Sequence, residues 1–245
     1  MTSRRFRALF ITGAFVIVHL LVSIAVAAEE GGSVEDVASK IHWLGHDAFR
    51  IDAGGRVIYI DPWRISGGPQ ADIILITHDH RDHCSPEDVA KIRGKHTRVV
   101  TVKAAAAKLP PPVTVVKPGD SLVVEGVPLK VIPAYNVNKF RSPGVPFHPK
   151  EAGYAGYLIK VSGVTIYHAG DSDPIPEMAS IKADIALLPV SGIYVMTAEE
   201  AVSAADQIRP KLAIPMHVGR GIGSLEDAQR FKQKASVLVR ILPME

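Results

Sequence analysis

The chain alternates short apolar segments, rich in valine and isoleucine, with turns that contain glycine, proline or charged residues. Segments of about four to eight residues with this composition and these boundaries are typical of β-strands. Some pairs are joined as hairpins, and Ala53-Gly54-Gly55 is the clearest connection because glycine accepts a positive φ. We predict strands over residues 48–52, 56–60, 71–77, 98–102, 122–125, 129–133, 154–161, 164–168, 184–188, 211–216 and 237–241.

Helix signals follow the hairpins in each half of the chain. Ser85 is a good N-cap, Pro86 suits the first helical position, and Thr197-Ala198-Glu199-Glu200 is a capping box. Hairpins followed by βα units occur twice in this order. This order predicts an α/β fold of two packed sheets with helices outside, which is a four-layer arrangement. We predict helices over residues 87–93, 104–108, 197–208 and 225–235.

The first 28 residues have a pattern of their own. Three arginines lie within the first seven residues, and an almost wholly apolar run follows them and ends in Ala27-Ala28. This is typical of a secretory signal peptide, so we expect an exported protein, periplasmic or secreted. A membrane anchor over residues 8–28 is the alternative, because about twenty apolar residues span a bilayer. We expect a linker over residues 29–40 and one folded domain over residues 41–245.

Charge and cysteine content narrow the range of partners. The formal net charge is +3, and the N-terminal arginines carry as much, so the domain itself is close to neutral. A nucleic-acid partner is therefore not expected, since it requires a basic stripe. We expect a small-molecule substrate, and no stable membrane partner if the signal is cleaved; the oligomeric state stays open. The single cysteine, Cys84, excludes an internal disulfide and is expected to be buried.

The strand predicted over 71–77 leads into a segment with an unusual concentration of metal-type side chains. Five of the seven residues in Thr77-His78-Asp79-His80-Arg81-Asp82-His83 are His or Asp. Neutral imidazole and carboxylate are the ligands that a borderline cation such as Zn²⁺ prefers. A tight turn here can direct two ligands at one ion and two at a second. A solvated polar loop, the alternative, does not require three histidines within six residues. The candidate metal ligands are His78, His80, Asp82 and His83.

Two later strands also end in ligand-type residues. Asp171 follows the strand predicted over 164–168, and His217 follows the strand predicted over 211–216. Ligands of open α/β sheets bind at the carboxyl ends of the strands. We therefore group Asp171 and His217 with the histidine-rich segment.

The segment His78-x-His80-x-Asp82-His83 matches the H-x-H-x-D-H signature of the metallo-β-lactamase superfamily. From about Ile41 onward the chain resembles the Zn-dependent hydrolases of that superfamily. The resemblance implies an αββα sandwich with the metal site at one edge, where Asp171 bridges two ions and His217 completes the second site. It also implies that Asp61 orients the ligands, and that His46 lies near the metal edge.

One position departs from the pattern of the family. Many members carry a histidine after the strand that leads into the middle loop, where this chain has Asn136, a poor Zn²⁺ ligand. His148, in the same loop, either replaces that ligand or holds substrate. Long irregular loops inside compact domains tend to be functional, so we expect residues 136–150 to shape the substrate site. Tyr194 is a further candidate for contact with substrate.

These residues predict a hydrolase with one or two divalent ions, zinc first and iron or manganese as alternatives. A hydroxide made by the ions would attack an ester, lactone, amide or phosphodiester, and Asp82 would take a proton in transit. Two other classes remain open. One is an iron-dependent oxidoreductase, because His and carboxylate also bind iron, and the other is a binding protein without turnover.

Overall fold

Residues 32–245, the part of the chain that the computed structural model describes, form two six-stranded sheets. The predicted signal peptide or anchor lies outside the described residues. In the first sheet, chain order and spatial order coincide. Its strands are β1 (Ile41–Gly45), β2 (Ala48–Ala53), β3 (Arg56–Ile60), β4 (Ala71–Ile76), β5 (Arg93–Val102) and β6 (Thr114–Val116).

Residues 121–216 supply the second sheet and a small separate hairpin. In chain order the strands are β7 (Ser121–Val124), β8 (Val127–Pro133), β9 (Phe140–Ser142), β10 (Val145–Pro146), β11 (Ala155–Val161), β12 (Val164–His168), β13 (Ile185–Pro189) and β14 (Leu212–Met216). Strands β9 and β10 form the hairpin, which lies within the middle loop. The spatial order of the second sheet is β14-β13-β12-β11-β8-β7.

Both sheets combine antiparallel hairpins with parallel strands. Strands β3 to β6 are parallel, as are β12 to β14, and α-helices form several of the connections between them. Crossover connections of this kind place their helices on the faces of a sheet. The helices are α1 (Val34–Ala38), α2 (Pro86–Ile92), α3 (Lys103–Ala106), α4 (Ala198–Ile208) and α5 (Leu225–Lys234). The α/β sandwich expected from the sequence is confirmed.

The central parallel strands are buried on both faces. Every residue from Ile73 to Ile76 is inaccessible to solvent, and so is every residue from Ile185 to Leu188. Continuous apolar segments of this kind are typical of parallel strands covered on both sides. The metal-type residues of the predicted site follow the carboxyl ends of these strands or of their neighbours.

Several segments differ from the prediction, which did not include β1, β6 or the β9–β10 hairpin. Within the expected linker, residues Val34–Ala38 form α1, whose capping box joins Ser33 and Asp36, and Val37 is buried. The folded domain thus begins before Ile41, because this short helix has an apolar side that packs on the core. The strand predicted over 237–241 makes one isolated bridge, between Ala213 and Val239. A longer strand is not formed because only Val239 of that segment is buried.

Among the described residues, no helix is both long enough and apolar enough to cross a bilayer.

Candidate metal centre

Asp61, at the end of β3, holds the histidine-rich segment in place. Its carboxylate accepts hydrogen bonds from the Thr77 backbone N–H, at 2.8 Å, and from the Thr77 hydroxyl, at 2.6 Å. The same carboxylate lies 2.8 Å from His83 Nδ1. This contact fixes the imidazole ring and leaves His83 Nε2 directed away from Asp61. Asp61 therefore contacts the histidine-rich segment at Thr77 and His83, and its role in orienting metal ligands stays a prediction.

A first group of donor atoms gathers where the two sheets meet. His78 Nε2 and His148 Nε2 each lie 3.2 Å from His80 Nδ1, and Asp171 Oδ2 lies 3.2 Å from His148 Nε2. The four ligand atoms lie within 4.8 Å of one another. Ligands at about 2.0–2.1 Å from a tetrahedral zinc ion lie about 3.3 Å apart, so these spacings fit such an ion. The middle loop thus brings His148 to His78 and His80.

Asn136 supports His148 in this group. Asn136 Oδ1 accepts a hydrogen bond from the His148 backbone N–H, at 2.8 Å, and lies 2.9 Å from His148 Nδ1. The Asn136 amide in turn donates to the Tyr194 carbonyl at 2.9 Å. Because Oδ1 is an acceptor, it favours the tautomer with hydrogen on Nδ1, which leaves His148 Nε2 free to bind a metal. Asn136 stands where the family pattern has a histidine ligand, but in the structure its side chain contacts the ring of His148.

The loop that carries His148 is anchored by buried charge. Asp173 is fully buried and accepts hydrogen bonds from the backbone N–H groups of Val137 and Asn138, at 2.7 and 2.9 Å. The Lys139 ammonium lies 2.6 Å from Glu200 on α4 and 3.5 Å from Asp173. These contacts hold the start of the loop against the second sheet, and His148 is positioned with it.

A second group of donor atoms lies on the other side of Asp171. His83 Nε2 lies 3.4 Å from Asp171 Oδ1 and 3.9 Å from Asp82 Oδ2, and His217 Nε2 lies 3.5 Å from Asp171 Oδ2. Ser191 Oγ, 2.9 Å from His217 Nδ1, orients the ring of His217. Asp171 therefore faces both groups, as a carboxylate shared by two ions would.

The backbone before Asp171 requires glycine. Gly170 has a φ of +61°, and a Cβ there would lie 2.8 Å from the Ala155 carbonyl oxygen. Only glycine accepts this conformation and this close approach without strain. Gly170 thus allows Asp171 to follow β12 at the point where the sheets meet.

The turn between β1 and β2 contributes two further side chains. His46 Nε2 lies 3.3 Å from Asp82 Oδ2, which places His46 at the metal edge as expected. Its neighbour Asp47, which the sequence reasoning missed, is fully buried. Ligand atoms of His46, Asp47, His83 and His217 lie within 4.8 Å of one another. One signal in the sequence could have identified Asp47: it is an aspartate next to His46, in a tight turn between two apolar strands.

Buried polar atoms that lack hydrogen-bond partners indicate whether a metal fits this site. Within residues 32–245, several buried nitrogen and oxygen atoms of the second group and of the adjacent β1–β2 turn have no hydrogen-bond partner. Leaving such atoms unpaired costs about 1–3 kcal/mol each, so their convergence at one point calls for a common partner. A divalent cation is such a partner, and the residues fit it. The atoms are His46 Nδ1 and Nε2, both carboxylate oxygens of Asp47, His83 Nε2, Asp171 Oδ1 and His217 Nε2.

The electrostatics of the site also suit a cation. Burial raises the pKa of Asp47 to about 7. Burial would also raise the pKa of Asp171, but the charges of His83 and His217 hold it well below its usual range. Burial lowers the pKa of His78 well below its ordinary value, so its ring is neutral at pH 7. In the first group, a neutral His78 beside the anionic Asp171 is the protonation state that metal binding needs. In the second group, burial would lower the pKa of His83 and of His217, but the charge of Asp171 raises it, so a bound ion would displace protons from these rings.

Cys84, next to His83, lies outside both groups. Its side chain is buried, and its Sγ lies 3.8 Å from the Ala105 carbonyl oxygen. Burial raises the pKa of this thiol to about 11. At pH 8 we expect iodoacetamide to alkylate Cys84 about a hundredfold more slowly in the native protein than in urea, because thiolate is scarcer and access is closed. The two alkylation rates can be measured by mass spectrometry of samples quenched at successive times. Equal rates in the native protein and in urea would contradict this placement of Cys84.

The other predicted site residue, Tyr194, lies at the surface. Its side chain is 44% exposed, and its ring packs against Phe147 with centroids 4.6 Å apart. Sequence reasoning also missed Tyr154, whose ring lies 5.0 Å from that of His78 and whose hydroxyl donates to Asp79 at 2.9 Å. Tyr154 thus fixes the metal-type segment from the side of the second sheet.

Comparison with known proteins agrees with this geometry. A family model described as a beta-lactamase superfamily domain matches residues 40–217. A UPF0173 metal-dependent hydrolase from Methanoculleus marisnigri is 34% identical over 201 residues, which cover 79% of this chain and 87% of the relative. Another, from Methanosarcina barkeri, is 32% identical over 229 residues, which cover 85% of this chain and 96% of the relative.

Solved structures share the fold. A crystal structure from Parabacteroides distasonis, named as a candidate metal-dependent hydrolase, matches with a TM-score of 0.72 and 30% identity over 84% of this chain and 93% of that one. The diiron β-hydroxylase CmlA of Streptomyces venezuelae matches with a TM-score of 0.65 and 15% identity, over 83% of this chain and 52% of its own. The chain described here therefore belongs to the beta-lactamase superfamily, as the H-x-H-x-D-H segment predicted.

Proposed function

We propose that this protein is a hydrolase that uses two divalent ions, zinc first, to cleave an ester, lactone, amide or phosphodiester bond. One observation carries the proposal: metal-type donor atoms converge on both sides of Asp171, and on the side of His83 and His217 several of the buried ones have no hydrogen-bond partner. Relatives named metal-dependent hydrolases support the class of reaction. The sequence of the first 28 residues supports action outside the cytoplasm.

Two sets of side chains would hold the ions, with Asp171 common to both. When bound, such ions supply a water whose pKa is lowered towards 7 and polarise the oxygen of the attacked group. No protein nucleophile is then required. The side chains of the two sets would hold the ions, and protein groups would also move protons. The first set is His78, His80 and His148; the second is Asp82, His83 and His217, with His46 and Asp47 adjacent.

Asp82 is the candidate proton acceptor. Its side chain is 26% exposed, whereas those of His83 and Asp171 are buried, so it lies between the buried donors and solvent. Burial would raise its pKa, but the contact with His46 and the charge of His83 hold the pKa of Asp82 below its usual range. Asp82 is therefore anionic at neutral pH and able to accept a proton from an attacking water.

A substrate screen with two matched variants tests the proposal. His80→Ala removes a donor from the first set, whereas His96→Ala removes an exposed histidine from β5, far along the strand from the site. Wild type and His96→Ala should hydrolyse at least one member of a panel of esters, lactones, amides and phosphodiesters. His80→Ala should lose at least about a hundredfold in kcat/KM. No turnover in any of the three proteins at full metal loading would contradict a hydrolase and favour a binding protein.

Metal analysis separates the hydrolase from an oxidative enzyme. Imidazole and carboxylate also suit iron, and the fold is shared with a diiron β-hydroxylase. Protein purified without added metal should contain zinc by elemental analysis and should consume no oxygen with a supplied reductant. Two equivalents of iron together with reductant-dependent oxygen uptake would favour the oxidoreductase instead.

A further inference from the structure

A cavity of about 420 Å³ opens beside Asp82, on the exposed side of the metal-type residues. It is lined by Trp63, Arg64, Arg81, Asp82 and Ile222. The Trp63 ring meets the His46 ring at its edge, with centroids 5.3 Å apart, and His46 Nε2 lies 3.3 Å from Asp82 Oδ2. The wall of this cavity therefore includes one candidate metal ligand, Asp82, and also contacts His46.

The two arginines of the cavity lack acidic partners. Among the described residues, neither Arg64 nor Arg81 forms a salt bridge, whereas Arg50, Arg98 and Arg240 each pair with a carboxylate. Asp82, the one carboxylate of the lining, lies against His46. The cavity therefore carries a net positive charge next to a site that would itself hold cations.

Arg64, which lines the cavity, has an unfavourable backbone conformation that neighbouring contacts maintain. Its φ of +54° lies in the left-handed region, which is unfavourable for arginine. Asp88 Oδ2 accepts its backbone N–H at 2.8 Å, and the Arg220 carbonyl accepts its Nη1 at 3.2 Å. Its guanidinium also lies 5.3 Å from the centre of the Trp63 ring. Such strain is maintained by surrounding contacts and is often found at ligand sites.

From this arrangement we propose that the cavity binds an oxyanion, a carboxylate or a phosphate, attached to an apolar or aromatic body. The proposal rests on the proposed function: the bound group would be one end of the substrate, and the bond to be cleaved would lie at the metal-type residues. Guanidinium groups bind carboxylate and phosphate through paired hydrogen bonds, and Trp63 and Ile222 offer the body an apolar wall.

Phenyl phosphate and benzoate are suitable probes, with benzamide as the uncharged match. Their binding to the metal-loaded protein is measured by calorimetry and by tryptophan emission. The chain has two tryptophans, and only Trp63 lines the cavity, so a change in emission that is lost in Trp63→Phe reports on the cavity. We expect both anions to bind more tightly than benzamide, and their relative affinities to show which oxyanion the cavity prefers.

Arginine variants identify the site of binding. Arg64→Gln and Arg81→Gln should each raise the Kd of the preferred anion about tenfold, and together about a hundredfold if their effects add. Arg98→Gln is the matched control, because Arg98 lies on β5 away from the cavity and its guanidinium pairs with Glu125 of the β7–β8 turn, and it should leave the Kd unchanged. Thermal unfolding of each variant shows whether it is folded.

The same variants separate this proposal from the proposed function. An anion affinity that depends on the arginines and survives in His80→Ala belongs to the cavity and not to the ions. An unchanged Kd in the folded double arginine variant would overturn the cavity proposal, even if His80→Ala abolished hydrolysis. Conversely, arginine-dependent binding in a protein without hydrolytic turnover would support the cavity while contradicting the hydrolase.

Discussion

Replacing Asp171 with alanine is expected to remove most of the bound metal and nearly all activity. Asp171 faces both donor groups, with oxygens 3.2 Å from His148 Nε2, 3.5 Å from His217 Nε2 and 3.4 Å from His83 Nε2. Without it, the first group loses its only carboxylate, the second group loses the one that it shares, and two buried imidazoles lose the anion that balances them. We expect metal affinity to fall by more than about a hundredfold and kcat/KM by at least as much. Elemental analysis after dialysis against a defined free-metal buffer measures the first effect.

Two further variants give the Asp171 result its meaning. Asp171→Asn keeps the size of the side chain but removes its charge, and should lose metal nearly as completely as alanine does. Asp206→Ala removes an exposed aspartate on α4 and should match wild type. Full metal content in Asp171→Ala would show that Asp171 is not a shared ligand.

The second large effect concerns the middle loop. His148→Ala should lower affinity for one ion by more than about a hundredfold, because it removes a nitrogen that lies 3.2 Å from His80 Nδ1. Asn136→Ala should lower it by about ten- to a hundredfold, since the His148 ring would lose the acceptor 2.9 Å from its Nδ1. Competition with a chromogenic chelator measures each affinity.

Asn138→Ala is the matched control for the middle loop. Asn138 lies two residues from Asn136, but its side chain contacts Glu200 and not His148. Metal affinity should therefore be the same in wild type and Asn138→Ala, lower in Asn136→Ala and lowest in His148→Ala. If Asn136→Ala binds metal like wild type while His148→Ala does not, the hydrogen bond to Asn136 has no part in metal binding. If neither variant changes the affinity, the middle loop does not reach the ions.

The sequence was informative wherever chemistry and secondary structure are local. His78, His80, Asp82 and His83 lie within one turn after a buried strand, so their pattern is visible without a fold. Asp171 and His217 became candidates because each follows a strand, and parallel strands end at a common edge of a sheet.

Residues that act through distant partners were harder to recognise. The relation between Asn136 and His148 spans twelve positions of an irregular loop, and only the loop's path shows that the asparagine holds the histidine. Asp47 carries no motif, and its proximity to His217 depends on how the β1–β2 turn meets the end of β14. The cavity at Arg64 and Arg81 likewise combines three separate loops, the third of which carries Ile222, and no sequence period reveals this.

Strand boundaries failed for a different reason. The segment 237–241 has strand composition, yet Leu238 is 63% exposed and only Val239 is buried. A strand's propensity depends on the surface against which it packs, and this segment contacts β14 over a single bridge. The segment therefore has the composition of a strand, but its surroundings do not allow a hydrogen-bonded ladder with β14 beyond one bridge.

Anomalous diffraction from crystals of protein purified without added metal tests the central claim most directly. The account predicts two peaks on either side of Asp171, one among His78, His80 and His148 and the other among Asp82, His83 and His217, with zinc as the scatterer. Two results would contradict the account. One is a single peak with the His148 ring turned away from it; the other is the absence of any peak while Asn136 and His148 keep the contacts seen here.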